Sequence, residues 1–406
     1  GWDGGMTDRT SRLSHFVEGV GSSDRIALLL TTNPGLESIV AEEFSSLLAS
    51  SGIDAPRVEL RPLGFHGQVL AITPAADEEK VWEAALRMRS VHHAIQPLYS
   101  FGLKPAAAAS SSLAPPPEGG SCAAADTSNE SGEGALGIIY RELFDRGVTA
   151  LESAATFRVT TKRNGEHAFT SVDVQRRAGA ALVRRYGCGV DLTQYECNVR
   201  VDVFDDTCIV GLQRTRASLS RRHPRIYNPR AALKANVAYA LLHMAKLDEE
   251  VGALLDPFCG SGTILLEAAA LHPQLGIQGS DFAEAAVSGC RSNIAAESQT
   301  DRISIRHCDA RFMAEVYPAS SFRAIVTNPP FGVRLGRGMD FLSFYTRFFD
   351  QAARVLEPGG RLVLLAWKRG VVDKANRASA KRFRRLHVRV VETGGVYPRI
   401  YVFQRR

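Results

Sequence analysis

The sequence predicts an α/β protein: a Rossmann-like, mostly parallel seven-stranded sheet in the C-terminal part, preceded by two smaller α+β layers. Three observations predict it. From residue 253 onward short apolar runs alternate with stretches of helical spacing, with strands expected near Ala253–Leu255, Gly276–Gly279, Ile303–His307, Ala324–Thr327, Arg361–Ala366, Leu386–Val391 and Ile400–Gln404. Such alternation gives a largely parallel sheet covered on both faces. The first of these strands runs straight into a glycine turn, Asp256-Pro257-Phe258-Cys259-Gly260-Ser261-Gly262-Thr263, as doubly wound sheets do where they hold a ligand. Two earlier stretches, 25–101 and 135–222, mix fewer strands and helices in an order suited to α+β layers.

In chain order, residues 1–24 read as an N-terminal extension. Residues 25–101 read as a ferredoxin-like layer, with a strand at Arg25–Leu30, helical spacing from Gly35 to Ala49, a strand at Gln68–Ile72 and a helix from Asp77 to Met88. Residues 102–134 run through Ala, Ser, Pro, Gly and Glu with almost no large apolar side chain, so they cannot offset their ordering entropy and are expected to be a low-complexity linker. Residues 135–222 resume the pattern: a helix at Leu136–Phe144, a strand at Thr156–Thr160, a helix from Ser171 to Tyr186 stopped at Gly187, and two strands, Glu196–Phe204 and Cys208–Leu212, meeting at the Asp205-Asp206 turn. The helix from Ser171 turns Val174, Ala178, Ala181 and Leu182 inward and Arg176, Arg177, Arg184 and Arg185 mostly outward. With Lys162 and Arg163 these form a basic platform, or else a solvated helix face. A basic connector and a helix around Ala231–Leu247 lead into the last domain, 223–406.

Bulk properties narrow the function classes. The chain has 406 residues, 45% hydrophobic and 23% charged, which suits two or three globular domains, and no apolar run approaches the roughly 20 residues of a membrane span. Seven cysteines without a Cys-x-x-Cys pair argue against a disulfide framework and a zinc ribbon, so reduced thiols and no metal site in the chain are expected. The chain begins Gly1-Trp2 rather than with Met, which leaves room for a targeting segment ahead of it; the expected compartment is the cytoplasm, with the nucleus or an organelle as alternatives. Charge is uneven. Residues 1–134 hold 9 Lys+Arg against 17 Asp+Glu, 135–230 hold 16 against 10, and 231–406 hold 24 against 16. The positive field therefore lies over the last two thirds, as a phosphate-backbone partner requires.

The candidate chemistry lies in the last domain. Gly260 and Gly262 let the backbone turn tightly, and a helix starting near Thr263 aims free N–H groups at an anion. Asp256 and Phe258 belong to the same turn. Asp281, ending the second strand, can accept the hydroxyls of a ribose, and Asp309 with Ala310, closing the third, can meet the edge of an adenine. A nucleoside-bearing cofactor follows, and NAD stays open on these features alone. S-adenosyl-L-methionine is favoured because the dinucleotide pattern's third glycine is missing and because Asn328-Pro329-Pro330-Phe331 follows the fourth strand. An exocyclic amine is a poor nucleophile, its lone pair delocalised into the ring. The Asn328 side-chain oxygen and the Pro329 carbonyl can hold its protons, Pro330 stiffens the corner, and Phe331 can stack on the base. Catalysis by positioning and charge stabilisation is expected, on a base flipped out of any duplex. Standing alone, Asn-Pro-Pro is also an ordinary turn, and Asp256 also suits a helix cap; Cys259 is read as a buried hydrophobe.

These residues resemble a known family, the RNA guanine-N2 methyltransferases that carry a THUMP domain. Asp256 to Thr263, Gly279-Ser280-Asp281 and Asn328-Pro329-Pro330-Phe331-Gly332-Val333-Arg334 are similar to the family's first, second and fourth methyltransferase motifs. Phe157–Leu219 resembles a THUMP domain, and Asn33-Pro34-Gly35-Leu36-Glu37 with Glu42-Glu43 resembles the ferredoxin-like domain before it. The resemblance implies methylation of a guanosine in or near the acceptor stem of tRNA, with the THUMP platform gripping the single-stranded 3′ end through Lys162, Arg163, Arg176, Arg177, Arg184 and Arg185. It also implies, for some members, a small zinc-binding activator subunit paired with the catalytic sheet's edge. Phe331 stands where Tyr is common. Ribosomal or small nuclear RNA as substrate, adenine-N6 methylation of DNA and a non-catalytic RNA-binding role remain as alternatives.

Overall fold

Two sheets organise the chain, one of nine strands and one of seven. The computed structural model describes residues 24–104, 134–223, 225–229, 232–247, 252–330, 340–367 and 370–406. Most of the expected extension and linker, and Phe331 to Arg334, lie outside the described residues. No described helix is long and apolar enough to cross a membrane.

The first sheet comprises β1 (Arg25–Thr31), β2 (Arg57–Leu60), β3 (Gln68–Pro74), β4 (His93–Gly102), β5 (Thr156–Thr160), β6 (Arg163–Asn164), β7 (Gly189–Val190), β8 (Cys197–Phe204) and β9 (Thr207–Gln213). Their order is β2-β3-β1-β4-β9-β8-β5-β7, with β6 beside β8. Helices α1 (Glu37–Ser50) and α2 (Glu78–Leu86) cover the first part, closing a core of Leu28, Leu30, Val40, Phe44, Val81 and Trp82. Helices α3 (Ala135–Arg146) and α4 (Ser171–Tyr186) cover the second over Phe157, Val199 and Val201. Helix α4 has the expected inward stripe and stops at Gly187, whose φ of 72° is left-handed. Thr170 and Asp173 start it with a reciprocal capping box.

Strand β4 is absent from the elements expected from sequence, as are β2, β6 and β7. It joins the halves: His93–Ile95 pair with β1, and Ile95–Gly102 pair with β9. Pro97 hides it, because proline argues against a central strand. Here the register shifts between Pro97 and Tyr99, and β4 has already left β1 at that point.

The second sheet comprises β10 (Ala253–Asp256), β11 (Gly276–Asp281), β12 (Ile303–His307), β13 (Phe322–Thr327), β14 (Leu356–Ala366), β15 (Phe383–Val390) and β16 (Arg399–Arg405). Their order is β12-β11-β10-β13-β14-β16-β15, parallel except that β16 runs antiparallel to both its neighbours. Each expected strand of the last domain is present. Side chains alternate across the sheet: Leu254, Ala324 and Val363 face α5 (Ala235–Ala245), α6 (Thr263–Leu271) and α7 (Glu284–Ala296), while Leu255, Ile325 and Leu362 face α8 (Phe341–Val355) and α9 (Val371–Ala378).

The two halves dock through the Asn33-Pro34-Gly35-Leu36-Glu37 segment. Asn33 donates to the carbonyl of Glu392 at 2.8 Å and accepts from Asn236 at 2.7 Å, and Glu392 N–H donates to the Pro34 carbonyl at 2.9 Å. Leu36 and Ile39 enter the core of the second sheet. The Glu37 carboxylate accepts from Gly35 and Gly67 N–H and from Arg61, which fixes the hook.

Candidate active site

Strands β10 and β13 are parallel neighbours, Leu254 opposite Ala324 and Leu255 opposite Ile325, so the turns that follow them open at the same end of the sheet. Thr327 closes the gap by donating its hydroxyl to Asp256 at 2.6 Å. The glycine turn and the Asn328-Pro329-Pro330 corner therefore lie side by side, as methyl transfer between them needs. Strand β11, on the other flank of β10, brings Asp281 to the same edge.

The turn is built from local strain that only glycine accepts cheaply. Gly260 has φ 51° and Gly262 φ 84°, and Gly262 N–H donates to the Cys259 carbonyl at 2.7 Å just before α6 begins. Asp281 accepts from Gly260 N–H at 3.1 Å and from Ala283 N–H at 2.9 Å, which fixes both carboxylate oxygens against the turn. Phe258 leaves the turn towards α8, 5.4 Å from the Phe348 ring and 5.8 Å from Phe344. Thr263 is buried, its hydroxyl 3.2 Å from that of Ser261. Cys259 is buried against Cys290, as expected of a hydrophobe.

Electrostatics divide the acids by role. Burial pushes Asp256 up to about 7, with the Thr327 hydroxyl and Phe258 N–H offsetting only part of that cost and Asp281 adding to it. Burial also opposes ionisation of Asp309, but Arg311 outweighs it and holds that carboxyl below its ordinary range. Arg311 contacts both Asp309 oxygens, at 2.6 and 3.0 Å, so an adenine edge would share this carboxylate with a guanidinium. Ala310 is buried beside it.

At the corner, Pro329 is buried and Pro330 half-buried. Asn328 Oδ1 is buried without a hydrogen-bond partner among the described residues. A buried acceptor left unpaired costs on the order of 1–3 kcal/mol, and a donor such as an amine restores it. Phe331 lies outside the described residues.

The basic residues of the platform separate. Arg185 donates to the carbonyls of Phe144 and Asp145, closing the end of α3, and Arg184 donates to the Tyr140 hydroxyl at 3.1 Å. Arg177 lies over the Tyr140 ring at 5.3 Å, and Arg176 is exposed. Arg163 contacts His167 at 3.0 Å, whereas Lys162 faces a cavity between the two halves.

Three contributors escaped the sequence reading. Thr327, a polar residue ending an apolar strand, had a signal in its position. Phe282, 67% exposed directly after Asp281, places an aromatic ring at the same edge, 6.5 Å from the His307 ring. Asn293 in α7 donates to the carbonyls of Ser261 and Tyr227, each at 2.9 Å, tying turn to connector; nothing in the sequence marks it.

The site residues fit an adenosyl cofactor. Asp281 is held with lone pairs to spare, the turn presents the start of α6, and Gly279 is needed because a Cβ there would come within 2.5 Å of Leu265.

Comparison with known proteins agrees. Residues 222–399 match the RMKL-like methyltransferase domain, and residues 140–213 match the THUMP domain. The chain is 36% identical over 380 residues to a tRNA (guanine(6)-N2)-methyltransferase of Thermus thermophilus, covering 92% of this chain and 98% of the relative. It is 32% identical over 213 residues to the U6 snRNA (guanine-N(2))-methyltransferase THUMPD2 of Mus musculus, covering 52% of this chain and 38% of that one. The crystal structure of TrmN from Thermus thermophilus superposes with a TM-score of 0.69 at 34% identity, over 94% of this chain and all (100%) of that one. SMU.472, a putative methyltransferase complexed with SAH, shares the fold at a TM-score of 0.67 and 16% identity, over 95% of this chain and 99% of that one. The chain belongs to the THUMP-domain-containing RNA guanine-N2 methyltransferases.

Proposed function

We propose that this protein transfers a methyl group from S-adenosyl-L-methionine to the exocyclic N2 amine of a guanosine in tRNA, in or near the acceptor stem. One observation carries the reading: the buried oxygen of Asn328, without a partner among the described residues, directly follows the strand hydrogen-bonded to the one that carries the glycine turn. The cofactor, held by Asp281, the Gly260–Gly262 backbone and the start of α6, supplies an electrophilic methyl on a sulfonium. The chain's own work is positioning. Asn328 Oδ1 and the Pro329 carbonyl accept the amine's two N–H bonds and turn its lone pair out of the ring. As nitrogen gains positive charge those two oxygens stabilise it, and a proton then leaves to water without a strong base. The relationship to an enzyme named for guanine 6 of tRNA, over nearly its whole length, supports tRNA as substrate.

Asn328→Ala should lower methyl transfer by roughly 10²–10³-fold while S-adenosylhomocysteine still binds in calorimetry. Nucleoside mass spectrometry of treated tRNA should show N2-methylguanosine. Undiminished transfer by the variant would refute the role given to Asn328, and N6-methyladenosine in DNA would replace the substrate. A second reading, small nuclear RNA, rests on the THUMPD2 relationship and is decided by which RNA becomes labelled. Assays with and without a small zinc-binding subunit decide whether one is needed; the sheet's outer strands are β12 and β15.

A further inference from the structure

Cofactor and acceptor must meet at the carboxyl edge of the second sheet from opposite sides. The strand order β12-β11-β10-β13-β14 puts Asp281, at the end of β11, and Asp309, beyond β12, on one flank of the glycine turn, and the Asn328-Pro329-Pro330 corner on the other. An adenosyl group lying across β10, β11 and β12 leaves the edge over β13 and β14 for the base that receives the methyl group.

Strand β14 reaches that edge with an exposed aromatic residue. Its register with β13 pairs Val326 with Val363 and Thr327 with Leu364, and the strand ends at Ala366. Trp367 follows directly and is 38% exposed, although Leu364, Leu365 and Ala366 before it are buried. Continued past Thr327, the register sets Trp367 level with Pro330, and neighbouring strands lie about 5 Å apart, within the length of an indole. Trp367 makes no hydrogen bond or ring contact among the described residues and belongs to neither core of the second sheet.

The corner by itself holds a base incompletely. Asn328 Oδ1 and the Pro329 carbonyl grip the amine along one edge of the ring, which fixes the position of the base but leaves its plane free to tilt about that edge. A guanine drawn out of a duplex has also lost the neighbours it stacked on. An aromatic face answers both needs, and a base has two faces: Phe331 is expected on one, and Trp367, on the neighbouring strand, is placed for the other.

We propose that Trp367 forms a wall of the acceptor site, its indole stacking on the flipped-out guanine while Asn328 and Pro329 hold the amine. The inference rests on the guanine-N2 methylation reading and adds the residue that fixes the plane of the base. The target base is favoured over a neighbouring nucleotide because Trp367 is level with the corner and only one strand away from it.

The test uses the full chain with S-adenosylhomocysteine bound and three forms of one tRNA transcript, carrying guanosine, inosine or an abasic nucleotide at position 6, the position in the Thermus thermophilus relative's name. Inosine keeps the purine ring without the amine, and the abasic form lacks the ring. Trp367 is one of three tryptophans, so its emission is the difference between the parent and Trp367→Phe. The guanosine and inosine transcripts should quench that emission, and the abasic one should not. In turnover, Trp367→Ala and Trp367→Leu should lower kcat/KM for the guanosine transcript about 10–100-fold, with S-adenosylhomocysteine binding and the melting temperature unchanged. Trp367→Phe, which keeps a ring face, should restore most of the loss. Equal quenching by the abasic transcript would move Trp367 to another nucleotide and overturn the proposal, as would undiminished turnover by Trp367→Ala or Trp367→Leu. Those failures leave the methylation reading intact while the parent still forms N2-methylguanosine; a parent that forms none sinks both.

Discussion

Asp256 shows how far a site residue's chemistry depends on its neighbours. With its carboxyl pushed up to about 7 by burial, the folded protein binds more protons than the unfolded chain between about pH 4 and 7. The sign follows: Asp256 contributes no penalty below about 4, stability falls as pH rises towards 7, and the loss levels off above that. The full effect is at most on the order of 4 kcal/mol. Asp256→Asn, which can still accept from Thr327 and Phe258, should be more stable than the parent at pH 8 and about equal at pH 4, as measured by urea unfolding. An unaltered difference between the two pH values would show that Asp256 is ionised at little cost. Its place in the motif was legible from sequence, but its protonation was not, because desolvation is a property of everything packed around it.

Helix α6 joins the site to the rest of the protein. Its first turn follows Gly262, and one turn later Glu267, fully buried, accepts from Arg89 at 2.9 Å, from Arg222 at 2.6 Å and meets His223 at 2.6 Å. Burial opposes this charge, but His223, Arg222 and Arg89 outweigh it and hold the carboxyl below its ordinary range. Removing one partner of a buried ion network costs about 3–5 kcal/mol. Glu267→Ala should therefore lower the melting temperature markedly and weaken S-adenosylhomocysteine binding as the start of α6 loosens. Calorimetry showing native cofactor affinity would separate the network from the site. From sequence, α6 read only as a helix starting near Thr263, and Glu267 was not singled out. The acid's partners are 178 residues upstream and 44 or 45 in the connector, beyond any local pattern.

At the scale of the molecule, the hook at Asn33–Glu37 sets how the two halves sit. Gly35 has φ +100°, and a Cβ there would come within 2.1 Å of the Val390 carbonyl oxygen, while Arg389 donates to the Gly35 carbonyl at 2.9 Å. Gly35→Ala should part this contact, destabilising the protein by roughly 2 kcal/mol or more. It should also make the region from Asn33 to Ser38 more accessible to hydrogen exchange, with the core of the second sheet unchanged. Uniform loss of protection would mean the halves unfold as one unit.

The sequence by itself determined the catalytic sheet, its strand sequence and the residues at its ligand edge, because parallel strands write their periodicity and turn chemistry locally. It also marked Asn328 as a candidate, since its corner follows the fourth strand of an alternating domain whose first strand carries the glycine turn. Only the tertiary structure decided where the charged side chains go. Arg185 went to helix carbonyls, Lys162 to a cavity, and Asp309 to Arg311. Those outcomes depend on which distant group arrives within about 3 Å, and β4, disguised by Pro97, is the strand that brings the two halves of the first sheet together.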